Sequence, residues 1–198
     1  MTPFYRVARA ICKVVCLVLW RFRATGVENV PRTGPLIVAC NHISYLDPVA
    51  LGVGSPRMLT YLAKKQLFEI PLLGLLIRGC GAYPLDRDAG GVAAVRLALR
   101  VLKEGRCIGI FPEGTRNVNG LAAEKGGAAF LAAVSGAPVV PAAVAGTKDA
   151  KRFAQIRVAY GQPLTIVRNR KADDGDLEKW TAEIMRRIRV LEESISGH

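Results

Sequence analysis

The sequence is poor in the residues that build metal centres and disulfide frameworks. Its only histidines are His42 and His198, and neither lies at ligand spacing from a pair of cysteines. The five cysteines are odd in number and form no CxxC motif, a pattern typical of a protein that keeps its thiols reduced in the cytosol. We therefore expect no metal site, no cofactor and no disulfide framework.

The N-terminal region lacks an apolar run long enough to cross a membrane. Residues 14–20 are apolar, but such a short run falls well below the roughly 20 residues that a span requires. No acidic residue occurs among residues 1–23, and Arg6, Arg9 and Lys13 recur at helical spacing. We expect residues 1–23 to form an amphipathic helix that lies on an anionic membrane surface. A terminal helix that packs against the core and a cleaved signal peptide are the alternatives.

Aromatic residues are also scarce, at 7% of the chain. Without aromatic platforms or zinc-finger spacing, nucleic acid is a poor explanation for the net charge of +12. The mean hydropathy is +0.23, so the chain is basic and apolar at once. This combination favours an anionic membrane over nucleic acid as the partner, while an acidic soluble substrate remains an alternative.

Short apolar segments alternate with helical patterns from Gly34 onward. The 198 residues suffice for one domain with a full core but hardly for two. The alternation predicts that residues 24–198 form a single α/β domain, with a mostly parallel sheet flanked by helices. The predicted strands cover residues 35–40, 57–63, 82–85, 107–111, 138–145 and 155–160, and the predicted helices cover residues 67–77, 90–103, 125–135 and 174–194.

A histidine and an aspartate follow the end of the first predicted strand. His42 comes directly after Asn41, and Asp47 lies five residues beyond the histidine. If His42 lies in the loop and Asp47 in the following turn, the carboxylate can hold one imidazole nitrogen and leave the other as a base. A histidine that caps a helix, with an aspartate that stabilises a turn before Pro48, explains the spacing equally well.

A second polar segment follows the predicted strand 107–111. Here Glu113, Gly114, Thr115 and Arg116 place a carboxylate, a flexible backbone, a hydroxyl and a guanidinium in consecutive positions. A guanidinium and exposed amides suit the binding of phosphate, although a plain surface turn is the alternative. No G-x-S-x-G motif occurs, which disfavours an α/β-hydrolase, and Ser44 is a weak candidate for a nucleophile.

Together these segments resemble the glycerolipid acyltransferases of the 1-acylglycerol-3-phosphate acyltransferase type. The resemblance covers about residues 26–162 and rests on four segments in the same order as in that family. They are Asn41-His42 with Asp47, then Gly81 to Arg87, Phe111 to Arg116, and Val139 to Val144.

The resemblance implies a role for each polar residue of these segments. His42 would be the general base that takes the proton of the acceptor hydroxyl, and Asp47 would orient the imidazole. The glycerol phosphate of the acceptor would be held by Arg87, Glu113, Gly114, Thr115 and Arg116, with help from Lys125. For Lys125, a solvated lysine at the start of a helix is an equally good interpretation.

The reaction that the resemblance implies is acyl transfer from a thioester, with acyl-CoA or acyl carrier protein as the donor. The acceptor would be the free hydroxyl of 1-acylglycerol 3-phosphate and the product phosphatidic acid, made at the cytoplasmic face of the cell membrane by a peripheral or monotopic enzyme. Another lysophospholipid or glycerol 3-phosphate could replace this acceptor. A non-catalytic lipid-binding protein of the same fold is the alternative from a different class.

Overall fold

In the computed structural model, residues 3–85, 90–112, 126–148, 150 and 154–196 are described. The helices in these ranges are α1 (Pro3–Trp20), α2 (Asp47–Gly54), α3 (Pro71–Gly79), α4 (Gly90–Lys103), α5 (Gly127–Ser135) and α6 (Asp174–Ser196). The strands are β1 (Arg23–Thr25), β2 (Leu36–Cys40), β3 (Leu59–Thr60), β4 (Leu62–Lys64), β5 (Tyr83–Leu85), β6 (Cys107–Ile110), β7 (Val139–Ala145) and β8 (Arg157–Tyr160). Two 3-10 turns, Val27–Asn29 and Lys65–Phe68, connect some of these elements.

Six strands form one sheet in the order β1-β8-β7-β2-β6-β3, and β4 pairs with β5 in a separate two-stranded sheet. Within the larger sheet four of the neighbouring pairs are parallel, and the β7–β8 pair is antiparallel. This arrangement confirms the prediction of a single α/β domain with a mostly parallel sheet flanked by helices.

Strand β2 lies at the centre of the sheet and is buried on both faces. Its alternate residues Leu36, Val38 and Cys40 pack against α1 and α2, whereas Ile37 and Ala39 pack towards α4, α5 and α6. Side chains alternate between the faces of a strand, so a strand covered on both sides must be apolar throughout. This requirement explains the unbroken apolar run that ends at the polar residues Asn41 and His42.

Two predicted segments differ from the structure, and one strand was not predicted. The predicted strand 57–63 is divided at Tyr61, because β3 joins β6 while β4 turns away to pair with β5. The predicted helix 67–77 begins only at Pro71, where the missing N–H of proline is tolerated at the first position of a helix. Strand β1 was not predicted, since three residues have too little pattern and depend on pairing with β8.

Helix α1 packs on the domain with one side only. Tyr5, Ala8 and Cys16 are buried, and the guanidinium of Arg9 donates to the carbonyls of Gly52 and Val53 at the end of α2. Arg9 therefore does not serve with Arg6 and Lys13 as part of an outward cationic stripe, because its donors bind the domain. No helix within the described ranges is long and apolar enough to span a membrane.

Arg57 connects the starts of β2 and β6, the strands that lead to His42 and to Phe111. Its guanidinium donates to the carbonyls of Pro31, Thr33 and Gly34 before β2, and to the carbonyl of Gly105 before β6. A planar guanidinium can make these contacts at once, whereas an ammonium group cannot.

We predict that Arg57→Met lowers the free energy of unfolding by about 1.5–3 kcal/mol, because carbonyls at two strand starts lose a charged donor. Urea unfolding measures the change, and Arg100→Met on the exposed side of α4 is the control, expected within about 0.5 kcal/mol of the parent. Equal losses in both variants would contradict the role assigned to Arg57.

Candidate active site

The polar residues of the site collect at one edge of the large sheet. Strands β2, β6 and β7 are parallel, so their carboxyl ends meet there. Asn41 and His42 follow β2, Phe111 follows β6, and Thr147 follows β7. Helix α2 also begins at this edge, and its first residue is Asp47.

Asp47 is a buried carboxylate with several hydrogen-bond donors. Its Oδ2 lies 2.8 Å from Nδ1 of His42 and accepts from the amides of Ile43 and Ser44, at 2.6 and 2.7 Å. Its Oδ1 accepts from the hydroxyl of Thr147 at 2.5 Å. The residue has 0% exposure, and a buried charge persists only when it is paired and hydrogen-bonded in this way.

These contacts decide the charge of Asp47 and the tautomer of His42. Burial by itself raises the pKa of Asp47, but the hydrogen bonds from His42, Thr147, Ser44 and Ile43 outweigh burial and hold the pKa below its ordinary value. The carboxylate is therefore ionised at neutral pH and can only accept, so Nδ1 of the neutral imidazole carries the proton. The lone pair then lies on Nε2, which is the nitrogen that can act as a base.

An aromatic stack covers one face of the imidazole. The rings of His42 and Phe111 are stacked, with centroids 4.2 Å apart, and Tyr61 stacks behind Phe111 at 6.1 Å. The Tyr61 hydroxyl donates to the carbonyl of Pro48, and a Cβ on Gly109 would lie only 2.4 Å from the Tyr61 ring. The side chain of His42 remains 22% exposed, so its ring is held in place yet can be reached from solvent.

Asn41 continues the pairing of β2 with β7 through its side chain. Its Oδ1 accepts from the amide of Val144 at 2.8 Å, and its Nδ2 donates to the carbonyl of the same residue at 3.0 Å. Nδ2 also donates to Oε1 of Glu192 on α6, at 3.0 Å. The backbone that enters His42 is thereby attached to both a strand and a helix.

The structure brings His42 and Asp47 into direct contact, with His42 in the loop and Asp47 at the start of a helix rather than in a turn. Thr147 was missed by sequence reasoning, because it lies 100 residues from Asp47 and carries no motif beyond its position after a strand. The other predicted site residues lie outside the described residues: Arg87, Glu113, Gly114, Thr115, Arg116 and Lys125.

Two further observations concern the cysteines and the metal-binding side chains. No disulfide joins any of the five cysteines, all of which are described. Within the described ranges, no cluster of three or more histidine, cysteine, aspartate or glutamate side chains could hold a metal ion. What the described groups can do is remove a proton from a weakly acidic group and stabilise the imidazolium that forms.

The family model named Acyltransferase matches residues 21–145, which is more than half of the chain. The chain belongs to this acyltransferase family. Its resemblance to glycerolipid acyltransferases is thereby confirmed at the level of the family. The match includes His42, Asp47 and Phe111 but ends before Thr147 and Glu192.

Two curated members of the family are similar to most of the chain. A 1-acyl-sn-glycerol-3-phosphate acyltransferase of Bacillus subtilis is 32% identical over 164 residues, covering 81% of this chain and 82% of the relative. The protein of the same name from Streptococcus pneumoniae is 28% identical over 200 residues, covering 96% of this chain and 74% of the relative. The described fold also matches the crystal structure of a 1-acyl-sn-glycerophosphate acyltransferase from Thermotoga maritima, with a TM-score of 0.75 and 22% identity over 98% of this chain and 81% of that chain.

We predict that Asn41→Leu lowers the free energy of unfolding by about 2–5 kcal/mol, because the buried amide and carbonyl of Val144 both lose their partner. Glu192→Gln is the matched control, since its amide oxygen still accepts from Nδ2, and we expect a change below about 1 kcal/mol. Urea unfolding followed by circular dichroism measures both values. An Asn41→Leu protein as stable as the parent would rule out this attachment.

Proposed function

We propose that this family member transfers a fatty acyl group from a thioester to the free hydroxyl of 1-acylglycerol 3-phosphate, giving phosphatidic acid. The observation that carries the proposal is the imidazole of His42 held by the buried carboxylate of Asp47. It is supported by membership of the acyltransferase family and by relatives named for this activity.

The proposed step begins when Nε2 of His42 accepts the proton of the acceptor hydroxyl. The hydroxyl oxygen forms a bond to the thioester carbonyl carbon, and the tetrahedral intermediate then breaks its carbon–sulfur bond. The thiolate leaves and takes the proton back from the imidazolium, so the enzyme returns to its starting state. Asp47 remains ionised throughout, because its role is to orient the ring and stabilise the imidazolium.

The acceptor phosphate is proposed to bind to the segment that follows Phe111. Phe111 stacks on His42, and Glu113 follows Phe111 by two positions in the sequence. This order in the sequence supports the roles that the resemblance implies for Glu113, Gly114, Thr115 and Arg116. The corresponding roles of Arg87 and Lys125, and the choice between acyl-CoA and acyl carrier protein, remain proposals based on the resemblance.

A matrix of donors and acceptors tests the proposed function with purified protein. Acyl-CoA and acyl carrier protein are each combined with 1-acylglycerol 3-phosphate, glycerol 3-phosphate and a lysophospholipid that lacks a phosphate monoester. Thiol release and lipid mass spectrometry are measured together. Release that requires 1-acylglycerol 3-phosphate and yields phosphatidic acid supports the proposal, whereas release without any acceptor identifies a thioesterase, and no release with any pair favours a lipid-binding protein.

His42→Ala should reduce turnover by about 10²–10⁴-fold, which is the usual contribution of a positioned base, while the protein stays folded. Asp47→Asn should be similarly severe, because an amide cannot stabilise the imidazolium and its NH₂ group cannot accept from two backbone amides. The steady-state rate of thiol release measures both losses.

Ser44→Ala is the matched control, because the Ser44 hydroxyl accepts only a turn contact from the amide of Leu46 among the described residues. It should keep at least about half of the parent activity, since a single turn contact of a half-buried hydroxyl contributes little. If His42→Ala retains more than about a tenth of the parent turnover, His42 is not the base; loss of activity in Ser44→Ala would point to Ser44 as a nucleophile.

We further propose that the enzyme works on an anionic membrane at its cytoplasmic face, with the exposed side of α1 as the interfacial surface; the predicted interfacial helix 1–23 ends at Trp20, since Phe22 is buried and Arg23 belongs to β1. Five apolar residues of α1 recur every three or four positions and are between 48% and 64% exposed: Phe4, Val7, Ile11, Val14 and Val18. Such a row on a folded domain is typical of a lipid or protein contact rather than of a solvated face.

Helix α3 extends this apolar row. A Cβ on Gly79 of α3 would lie 2.1 Å from the ring of Phe4, so the two helices adjoin. Leu72 and Leu75 of α3 are 85% and 69% exposed, and the basic residues Arg6 and Lys13 lie exposed on α1. An anionic bilayer suits a surface with this mixture of exposed apolar and cationic side chains.

The double variant Val7→Glu/Val14→Glu should bind anionic vesicles at least about tenfold more weakly, because buried valines contribute about 1.5–3 kcal/mol each and glutamate is repelled. Co-sedimentation with vesicles measures the change. Substitution is more informative than deletion of the helix, since α1 also buries Tyr5, Ala8 and Cys16 in the domain.

Val167→Glu is the control for this test. Val167 is 78% exposed, and its neighbour in sequence, Ile166, is buried in the core on the face of the sheet away from α1. Its vesicle binding should equal that of the parent. Unchanged binding in the α1 double variant would rule out the interfacial role of α1.

A further inference from the structure

We infer that Thr147 is a positioning residue for the reaction, whose buried hydroxyl holds the carboxylate of Asp47 in the orientation that serves His42. This inference rests on the proposed function of the His42–Asp47 pair. Thr147 lies beyond the part of the chain that the family model matches.

The two oxygens of Asp47 are held by different parts of the chain. Oδ2 accepts from His42 and from the adjacent loop amides, all within five residues of Asp47 in sequence. Oδ1 accepts from Thr147, which is its only hydrogen-bond donor among the residues that the structure describes. The loop between β2 and α2 can therefore position Oδ2. The rotation of the carboxylate about the Cβ–Cγ bond of Asp47 depends on Thr147.

Burial excludes a solvent-exposed contact that water could replace, and it excludes direct contact of Thr147 with a substrate. Thr147 is 1% exposed and Asp47 is 0% exposed, so water cannot readily replace the hydroxyl. For the same reason Thr147 cannot touch the acceptor or the donor. A hydrogen bond to a charged group in such a place is among the stronger ones in proteins.

The backbone conformation of Gly146 allows the hydroxyl of Thr147 to point to Asp47. Gly146 follows β7 with a φ of 81°, in the left-handed region that favours glycine. A Cβ on Gly146 would also lie only 2.0 Å from the carbonyl oxygen of Gln155. The glycine therefore turns the chain sharply at the end of β7, and the next residue directs its hydroxyl to the start of α2.

Removal of this hydroxyl should alter the protonation of the site. Oδ1 would remain a buried anionic oxygen but would lose the donor from Thr147, and the carboxylate would attract the proton shared with His42 more strongly. The imidazolium form gains stability, so the ring becomes protonated at higher pH. Among the residues that the structure describes, the nearby charged and titratable groups are Glu192 bonded to Asn41, Tyr61 behind Phe111, and Lys148 next in the chain; none is changed by a substitution at Thr147.

The test compares Thr147→Val, which keeps the shape but lacks the hydroxyl, with Thr147→Ser, which keeps the hydroxyl. In the full chain Thr147→Val should lower kcat by about 10- to 100-fold, as expected for the loss of a hydrogen bond to a charged group. The KM for the acceptor should stay within about threefold, because a buried residue does not bind it. The acid limb of the pH profile of kcat/KM should move to higher pH by about half a unit or more. Thr147→Ser should restore most of both properties.

A second measurement is independent of any substrate. The chain has only two histidines, so in a His198→Ala background the imidazole of His42 can be titrated alone by NMR. We expect the His42 ring to protonate at higher pH in Thr147→Val than in the parent or in Thr147→Ser. If Thr147→Val does not fold, Thr147→Ala takes its place, since the smaller side chain cannot overpack the site.

Three results would overturn the inference. They are an identical titration of the ring in all variants, a Thr147→Ser protein that fails as badly as Thr147→Val, and a Thr147→Val protein that loses stability while the acid limb stays in place. If the parent protein transfers no acyl group to any acceptor, the proposed function fails instead, and the NMR titration still decides whether Thr147 controls the His42–Asp47 pair.

Discussion

The burial of one carboxylate constrains much of this structure. The charged carboxylate of Asp47 has no contact with solvent, so hydrogen-bond donors of the protein must surround it. They come from the loop after β2, from the imidazole of His42 and from the turn after β7. These segments can meet only if β2 and β7 are neighbours and α2 begins at their carboxyl ends. The hydrogen bonds that this single buried charge requires thus depend on the topology of the sheet.

Contacts in the rest of the domain fix the edge of the sheet at which Asp47 lies. Strand β2 is packed on both faces, Arg57 fastens the starts of β2 and β6, and Asn41 fastens the end of β2 to β7 and α6. Contacts at both ends of the central strand leave the loop between β2 and α2 little freedom. The imidazole is further confined by Phe111, yet it remains partly exposed, as its proposed role as a base for a substrate hydroxyl requires.

Helix α1 shows how one amphipathic segment can serve two surroundings. Its buried side completes the core beside α2, and Arg9 satisfies carbonyls at the end of that helix. Its other apolar side is left outside, in line with the exposed leucines of α3. Under the proposed function, this outer side of α1 would contact the membrane that carries the lipid acceptor.

The sequence by itself determined the class of the fold, the helix Gly90–Lys103, and the pattern of a histidine and an aspartate after a buried strand, because these depend on local periodicity and on strand ends. It could not divide the strand at Tyr61 or detect β1, since pairing with distant strands decides both. It also could not assign Arg9 to the end of α2 or Thr147 to Asp47. Contacts between residues some 40 or 100 positions apart leave no periodic signal, and only the tertiary structure, by packing α1 on α2 and β7 beside β2, brings those groups within hydrogen-bond distance.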